Sequence, residues 1–376
     1  MRKKLSIVII VILLLTMTGV KGLSEEDTPL QNFQEVLYLI RTFYVEEVEM
    51  KQLIDGAING MVEELDTYSN HMSPKEYDDM QTNFEGHFGG IGIVITIRND
   101  KLTIVSPIKD TPGDRAGLKA GDVIKAVDGE LTSEMSQQKA VDKMRGEPGT
   151  EVELTIEREG GEEPLIINIV RDDIEPPNVV PEMKENNIGH IAIAQFLEDT
   201  GVKVEDAIKE LKEEGAEAII LDLRNNPGGL LEEAVKVASI FVDEGTIVTI
   251  KQREEEDKVF KREESVQLLD LPLAVLINEG SASASEIVAG AVKDCDRGVL
   301  IGTKTFGKGT VQSVVPLSDG SALRLTTARY YTPSGNFIHD QGIEPDLEIE
   351  YDPEAEEDLQ LERAIEYLNS LEDKAA

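Results

Sequence analysis

Two stretches rich in glycine and small residues hold the side chains best suited to covalent chemistry. The first, Asn278-Glu279-Gly280-Ser281-Ala282-Ser283-Ala284-Ser285-Glu286-Ile287, follows a continuous apolar run and leads into the helical spacing of residues 287–292. A strand-to-helix turn of such small residues can present a hydroxyl at the head of a helix, where free backbone N–H groups favour developing negative charge. The same composition also serves as a plain helix cap. The second, Gly302-Thr303-Lys304-Thr305-Phe306-Gly307-Lys308-Gly309-Thr310-Val311-Gln312, nearly spells a phosphate-binding loop. Such a loop needs Ser or Thr directly after its lysine, to hold magnesium, and a helix behind it. Gly309 stands in that place and residues 311–317 read as a strand, which excludes the phosphate reading. What remains is Lys308 between two glycines, either solvated in a turn or packed closely enough to lose its water.

The second alternative has chemical content. A serine hydroxyl is a poor nucleophile unless a base takes its proton, and a lysine can be that base only if its pKa falls from about 10.4 toward neutrality. Burial lowers it, because an ammonium stripped of water is disfavoured against the neutral amine. Gly307 and Gly309 leave room for close packing, and Phe306 offers apolar cover. An oxyanion would need backbone donors. Ala284 offers one N–H, and the Asn226-Pro227-Gly228-Gly229 turn is either a second source or a simple reversal of the chain.

The elements that must position these residues follow from periodicity. From about Gln31 to Phe84 apolar residues recur at helical spacing, and Ser73-Pro74-Lys75-Glu76 has the form of a helix start. From Gly86 to about Asp172 short strands are predicted at 92–97, 102–106, 123–127, 151–157 and 165–171, with a helix over 136–144. From Ile188 strands and helices alternate, and the continuous apolar runs 218–221 and 273–277 read as central strands buried on both faces. Residues 251–264 form a charged hairpin or loop, and helical spacing returns after Tyr351 in a terminal packing or dimerisation helix. The small β region carries its own signature: Phe88-Gly89-Gly90-Ile91-Gly92-Ile93, then 114–124 (DRAGLKAGDVI) and Val127-Asp128-Gly129. This resembles a PDZ domain. Glycine-rich backbone there leaves N–H groups for a terminal carboxylate, and an adjacent strand edge pairs with an arriving peptide. Phe88, Gly89, Gly90, Ile91, Gly92 and Ile93 are the candidate binding residues, with specificity from an apolar pocket near Ile93 and the 136–144 helix.

Asp222-Leu223-Arg224-Asn225-Asn226-Pro227-Gly228-Gly229, the 281–286 turn (SASASE) and Thr305-Phe306-Gly307-Lys308-Gly309 with Val311-Gln312 agree in order and spacing with the carboxyl-terminal processing peptidases of family S41. With the small β domain, the resemblance covers about 36–349. It implies an α/β multidomain chain: a crotonase/ClpP-like α/β protease core with an inserted PDZ β domain and helical N- and C-terminal regions. The corresponding boundaries are 1–22 for a signal or anchor, 30–85 helical, 86–172 PDZ, 173–350 protease core and 351–376 tail. It implies Ser283 as nucleophile, Lys308 as base, Gln312 as the residue orienting the lysine, and Gly229, with Gly228 nearby and Ala284, as the oxyanion hole. It further implies Asp294 as an acidic residue that recurs after the nucleophile, and Arg145 as a switch coupling PDZ to protease. The expected substrates are proteins or peptides with apolar C-terminal tails, and pairing through terminal helices would give a homodimer. A peptide-binding scaffold without catalysis is the rival on the same fold.

Composition narrows the field further. With 37 basic against 74 acidic residues the field of the chain repels nucleic acid and anionic lipid. One cysteine, Cys295, excludes an internal disulfide, and the four histidines lack metal-ligand spacing, so neither metal nor cofactor is expected. Arg2, Lys3 and Lys4 precede an uncharged stretch from Leu5 to Val20. That order reads as a cleaved export signal or a retained anchor tethering the chain to a membrane, and both place the body outside the cytoplasm.

Overall fold

The computed structural model describes residues 28–158, 160, 163–351, 355 and 357–375. The expected signal or anchor at 1–22 lies outside them, and among the described residues no helix is long and apolar enough to cross a membrane. The chain divides between His71 and Met72 into two compact units. The first contains helices α1 (Thr28–Phe43) and α2 (Met50–Glu63).

The second unit opens with α3 (Pro74–Glu85), whose start is a reciprocal cap. Ser73 Oγ accepts the Glu76 N–H at 3.3 Å, and the Glu76 carboxylate accepts the Ser73 N–H at 2.7 Å. Strand β1 (Phe88–Gly90) follows, then β2 (Ile93–Arg98), β3 (Lys101–Pro107), β4 (Val123–Val127), helix α4 (Gln137–Met144), β5 (Glu151–Glu157), β6 (Leu165–Val170) and β7 (Asp172–Ile174). Strands β2 to β6 pair antiparallel in chain order, and β1 pairs with β7. Their shared core holds Ile91, Ile104, Ile124, Leu154 and Ile156, with Ala140 and Met144 closing it from α4. Alternation explains the assembly: in β5, Val152, Leu154 and Ile156 face inward while Glu151 and Glu157 face water.

The remainder is layered. Strands β8 (Val179–Lys184), β9 (Ile188–Ile193), β10 (Ala218–Asp222), β13 (Leu273–Ile277), β14 (Val299–Gly302) and β17 (Leu347–Glu348) form one sheet in that order, parallel from β9 onward. Helices α5 (Thr200–Glu213), α6 (Leu231–Phe241) and α7 (Ala284–Asp294) cover one face, and α8 (Leu359–Ala375) the other. The strands are apolar throughout because both faces are buried. In β10, Ile219 and Leu221 join the α5–α7 core, while Ala218 and Ile220 meet Ala364 and Leu368 of α8. The terminal helix therefore spends its apolar stripe inside its own chain. A second sheet of β15 (Thr310–Pro316), β16 (Ala322–Tyr331), β11 (Thr246–Gln252) and β12 (Lys258–Lys261) packs Ile247, Val248, Ile250 and Tyr330 into the α6–α7 layer, so the two sheets enclose those helices. The charged 251–264 stretch is the exposed hairpin of β11 and β12.

Candidate active site

Three loops meet at the carboxyl ends of the central parallel strands, the crevice where open α/β sheets place their sites. The loop after β10 and the turn after β13 are knitted side by side. Asn225 donates its N–H to Asn278 Oδ1 at 2.8 Å, and Asn278 Nδ2 returns to Asn225 Oδ1 at 3.0 Å. Ser281 Oγ donates to the Leu223 carbonyl at 2.8 Å, and Ser285 Oγ to that of Asn226 at 2.9 Å. Asn226, wholly buried, ties its side-chain nitrogen to the Ile193 carbonyl at 2.8 Å.

Ser283 sits at the turn into α7 with φ 56° and ψ −111°, a backbone conformation rarely adopted by residues other than glycine. Such geometry persists only where neighbours over-determine it. The neighbour here is Glu286, fully buried one turn into α7. Its carboxylate accepts the N–H of Ser283 at 2.9 Å, of Gly307 at 2.8 Å and of Lys308 at 2.9 Å, together with the Thr305 hydroxyl at 2.6 Å. One side chain thus fixes the Ser283 turn and the Lys308 loop to a common point. Tyr330, reaching in from β16, places its hydroxyl 3.1 Å from the Ser283 carbonyl and against that of Lys308. Burial, then the charge of Glu286, pushes its pKa well above the ordinary value.

A cavity of about 510 Å³ is lined by Ser283, Lys308, Gln312, Gly228, Gly229 and Ala284, with Met80 and Phe84 of α3 and Arg324 of β16 on its walls. Desolvation lowers the pKa of Lys308, the guanidinium of Arg324 lowers it further, and Glu286 opposes both. Gln312 anchors its side-chain nitrogen on the Thr310 and Thr326 hydroxyls at 3.0 and 3.3 Å. Neither glycine of the facing loop could carry a side chain. A Cβ on Gly228 would lie 2.7 Å from that of Ser283, and one on Gly229 would lie 2.0 Å from the Phe196 carbonyl oxygen. Gly228 donates its N–H to Asn226 Oδ1 at 2.9 Å, so that donor is already committed.

The other sequence-predicted residues lie elsewhere. Phe88, Gly89 and Gly90 pair with Ile174, Asp173 and Asp172, and Ile91 is buried in the small core. Gly92 (φ 71°) receives the Ile108 N–H on its carbonyl at 2.9 Å, and Ile93 begins β2, the edge strand of its sheet. Arg145 stacks its guanidinium 4.3 Å from the centre of the Phe88 ring. Asp294, at the far end of α7, accepts the Ser334 N–H and hydroxyl at 2.9 and 2.6 Å and does not line the cavity. Among the described residues no cluster of His, Cys, Asp or Glu could hold a metal ion. Glu286, Tyr330 and Arg324 received no role from the sequence. Only Glu286 had a local signal, since Ser283-x-x-Glu286 repeats the capping pattern of Ser73-x-x-Glu76.

With this geometry in place, comparison with known proteins gives the class. Peptidase family S41 matches residues 187–349, a PDZ domain matches 103–158, and the N-terminal domain of the activating protease CtpB matches 17–76. The chain is 44% identical over 334 residues to a carboxy-terminal-processing protease of Bartonella bacilliformis, covering 87% of this chain and 77% of that one. It is 38% identical to the carboxy-terminal processing protease CtpA of Bacillus subtilis, over 88% of this chain and 71% of that one. The solved photosystem II D1 C-terminal processing protease superposes with a TM-score of 0.52 at 30% identity, over 85% of this chain and 86% of that one. The chain belongs to peptidase family S41. It is a serine-type peptidase of the carboxy-terminal-processing kind, with a PDZ domain ahead of its α/β core.

Proposed function

We propose that the protein is an exported endopeptidase in which Ser283 and Lys308 form a catalytic dyad, and whose PDZ domain takes substrates by an apolar C-terminal tail. The observation that carries this reading is the shared cavity of Ser283 and Lys308, with both backbones held by the buried Glu286. Neutral Lys308 Nζ takes the proton of Ser283 Oγ as that oxygen attacks the scissile carbonyl carbon. The N–H groups of Gly229 and Ala284 receive the oxyanion, because that of Gly228 already serves Asn226. As the C–N bond breaks, the lysine ammonium returns its proton to the leaving amine. The neutral amine then takes a proton from a water that attacks the acyl carbon, and as the ester C–O bond breaks the lysine returns that proton to Ser283 Oγ. Gln312, anchored through its nitrogen, keeps its side-chain oxygen for the amine.

On the PDZ side, the edge of β2, unpaired among the described residues and flanked by Gly92, offers main-chain groups to an extended tail. Arg145 joins the end of α4 to the Phe88 ring on β1, which runs directly from α3, and α3 lines the protease cavity through Met80 and Phe84. A tail bound near α4 has in this contact a route to the cleft.

An unfolded substrate ending in apolar residues should show a KM roughly tenfold below that of the same protein ending in acidic residues, the worth of one buried apolar side chain. The Ser283→Ala protein should bind the apolar tail and cleave neither substrate. Equal KM values for the two tails refute tail capture, and cleavage by Ser283→Ala refutes the dyad. In the same assay Arg145→Ala should flatten activation by added tail peptide, and an unaltered activation curve removes Arg145 from the coupling. The basic start and apolar run before residue 21 support export. Recovery of the protease from the cytosol in cell fractionation would contradict it.

A further inference from the structure

The loop that carries Gly229 leaves β10 at Leu223, and the side chain of Arg224, its next residue, is 14% exposed. Arg224 Nε donates to Asp222 Oδ1 at 2.9 Å and Nη2 to Asp222 Oδ2 at 2.6 Å. On its other side Nη1 donates to Asp358 Oδ1 at 2.9 Å and to Gln360 Oε1 at 3.1 Å, and Nη2 meets Asp358 Oδ2 at 2.8 Å. Both outer partners belong to the head of α8. Asp358 accepts the Leu361 N–H at 3.1 Å, and Gln360 donates to the Ile349 carbonyl at 2.8 Å. Asp222 also faces His190 Nε2 at 3.2 Å. Burial alone would raise the pKa of Asp222, but His190 and Arg224 outweigh it and hold it at about 2. The network therefore stays charged at neutral pH and acts as a permanent brace.

Behind this loop the protein is open. A second cavity of about 480 Å³ is lined by Arg224, Asn225, Asn278, Asp358 and Gln360. On that side the loop is held by the Asn225–Asn278 pair and by the guanidinium fork with its partners rather than by apolar packing.

We propose that the head of the C-terminal helix, acting through Asp358 and Gln360 on Arg224, positions the loop that presents the Gly229 N–H to the oxyanion. Asp358 is thus a positioning residue for the turnover step. The inference rests on Gly229 being an oxyanion donor, as read above. An N–H displaced by a fraction of an ångström binds substrate about as before and loses transition-state contact, so the effect falls on kcat rather than KM.

The test uses the full chain and one tail-bearing peptide, comparing Asp358→Asn, Asp358→Glu, Gln360→Ala and Ser283→Ala by steady-state kinetics and thermal unfolding. Asp358→Asn is expected to lower kcat about tenfold with KM changed less than about twofold. Asp358→Glu, which restores the charge, is expected to regain most of that loss. Unaltered kcat in Asp358→Asn overturns the inference. So does a loss that Asp358→Glu fails to recover while Tm falls in both, because that pattern is general destabilisation. Should Asp358→Asn not fold, Gln360→Ala decides: it leaves no buried charge unpaired and should lower kcat roughly threefold at constant KM, and no change refutes the brace. Activity retained in Ser283→Ala would sink the dyad itself, whereas a dead Ser283→Ala beside a wild-type-like Asp358→Asn sinks only the role of the helix.

Discussion

Lys308→Met is expected to lower kcat by about 10²–10⁴-fold, the usual contribution of a positioned general base, without lowering Tm. Methionine matches the lysine stem in length and fills the same apolar slot, so packing is kept while the amine is lost. The stability side follows from the sign of the pKa shift. Desolvation and Arg324 hold the folded pKa of Lys308 below 10.5, so the unfolded chain binds this proton more tightly than the native one. Lys308 thus destabilises the native state at neutral pH and returns that stability as pH rises from its folded value toward 10.5. Removing it cannot cost charge stabilisation. The wild-type acid limb of kcat/KM should track deprotonation of the amine, with activity rising through a pKa below that of free lysine, and Lys308→Met should lack that limb. A Lys308→Met enzyme within a few-fold of wild type, or one that keeps the wild-type acid limb, would dispose of the lysine as base.

The second large effect belongs to Glu286→Ala, for which a loss of about 3–5 kcal/mol in denaturant unfolding is expected along with activity. The carboxylate is fully buried and serves the N–H groups of Ser283, Gly307 and Lys308 and the hydroxyl of Thr305. Alanine leaves those donors facing a dry hole, and each buried unsatisfied group costs about 1–3 kcal/mol before any relaxation. Relaxation itself would release the unusual φ of Ser283 and the path of the Lys308 loop. Glu286→Gln separates the two consequences. It keeps the volume but turns one acceptor into a donor among donors, so it should remain folded with a smaller drop in Tm and still lose most of its turnover. If Glu286→Ala unfolds at the wild-type midpoint, the carboxylate is not what holds the two loops together.

How much of this was legible beforehand depended on whether the signal was local. Strands whose faces differ are written in alternation, and 123–127 and 151–157 begin and end where the periodicity places them. The doubly buried runs 218–221 and 273–277 were legible as central strands for the opposite reason, the absence of alternation. The Ser73 cap was visible because its partners lie within one turn. Residues that meet across the fold left no such mark. Tyr330 arrives at Ser283 from a strand 47 positions away, and Arg224 finds Asp358 at a separation of 134. Even the local spacing Ser283-x-x-Glu286, a capping pattern, does not announce that Thr305, Gly307 and Lys308 converge on the same carboxylate. The Asn-Pro-Gly-Gly turn disclosed that backbone approaches closely there. Which N–H was already taken, that of Gly228 by Asn226, is a matter of side-chain placement.

Strands β10 and β13 contribute to the cores on both sides of the central sheet, so their amides can open only when the whole domain does. The loop bearing Gly229 and the turn bearing Ser283 spring directly from those two strands. The proposed nucleophile and oxyanion donor are therefore mounted on the least yielding masonry of the molecule, and thermal agitation short of global unfolding reaches them only through the last few residues of each loop.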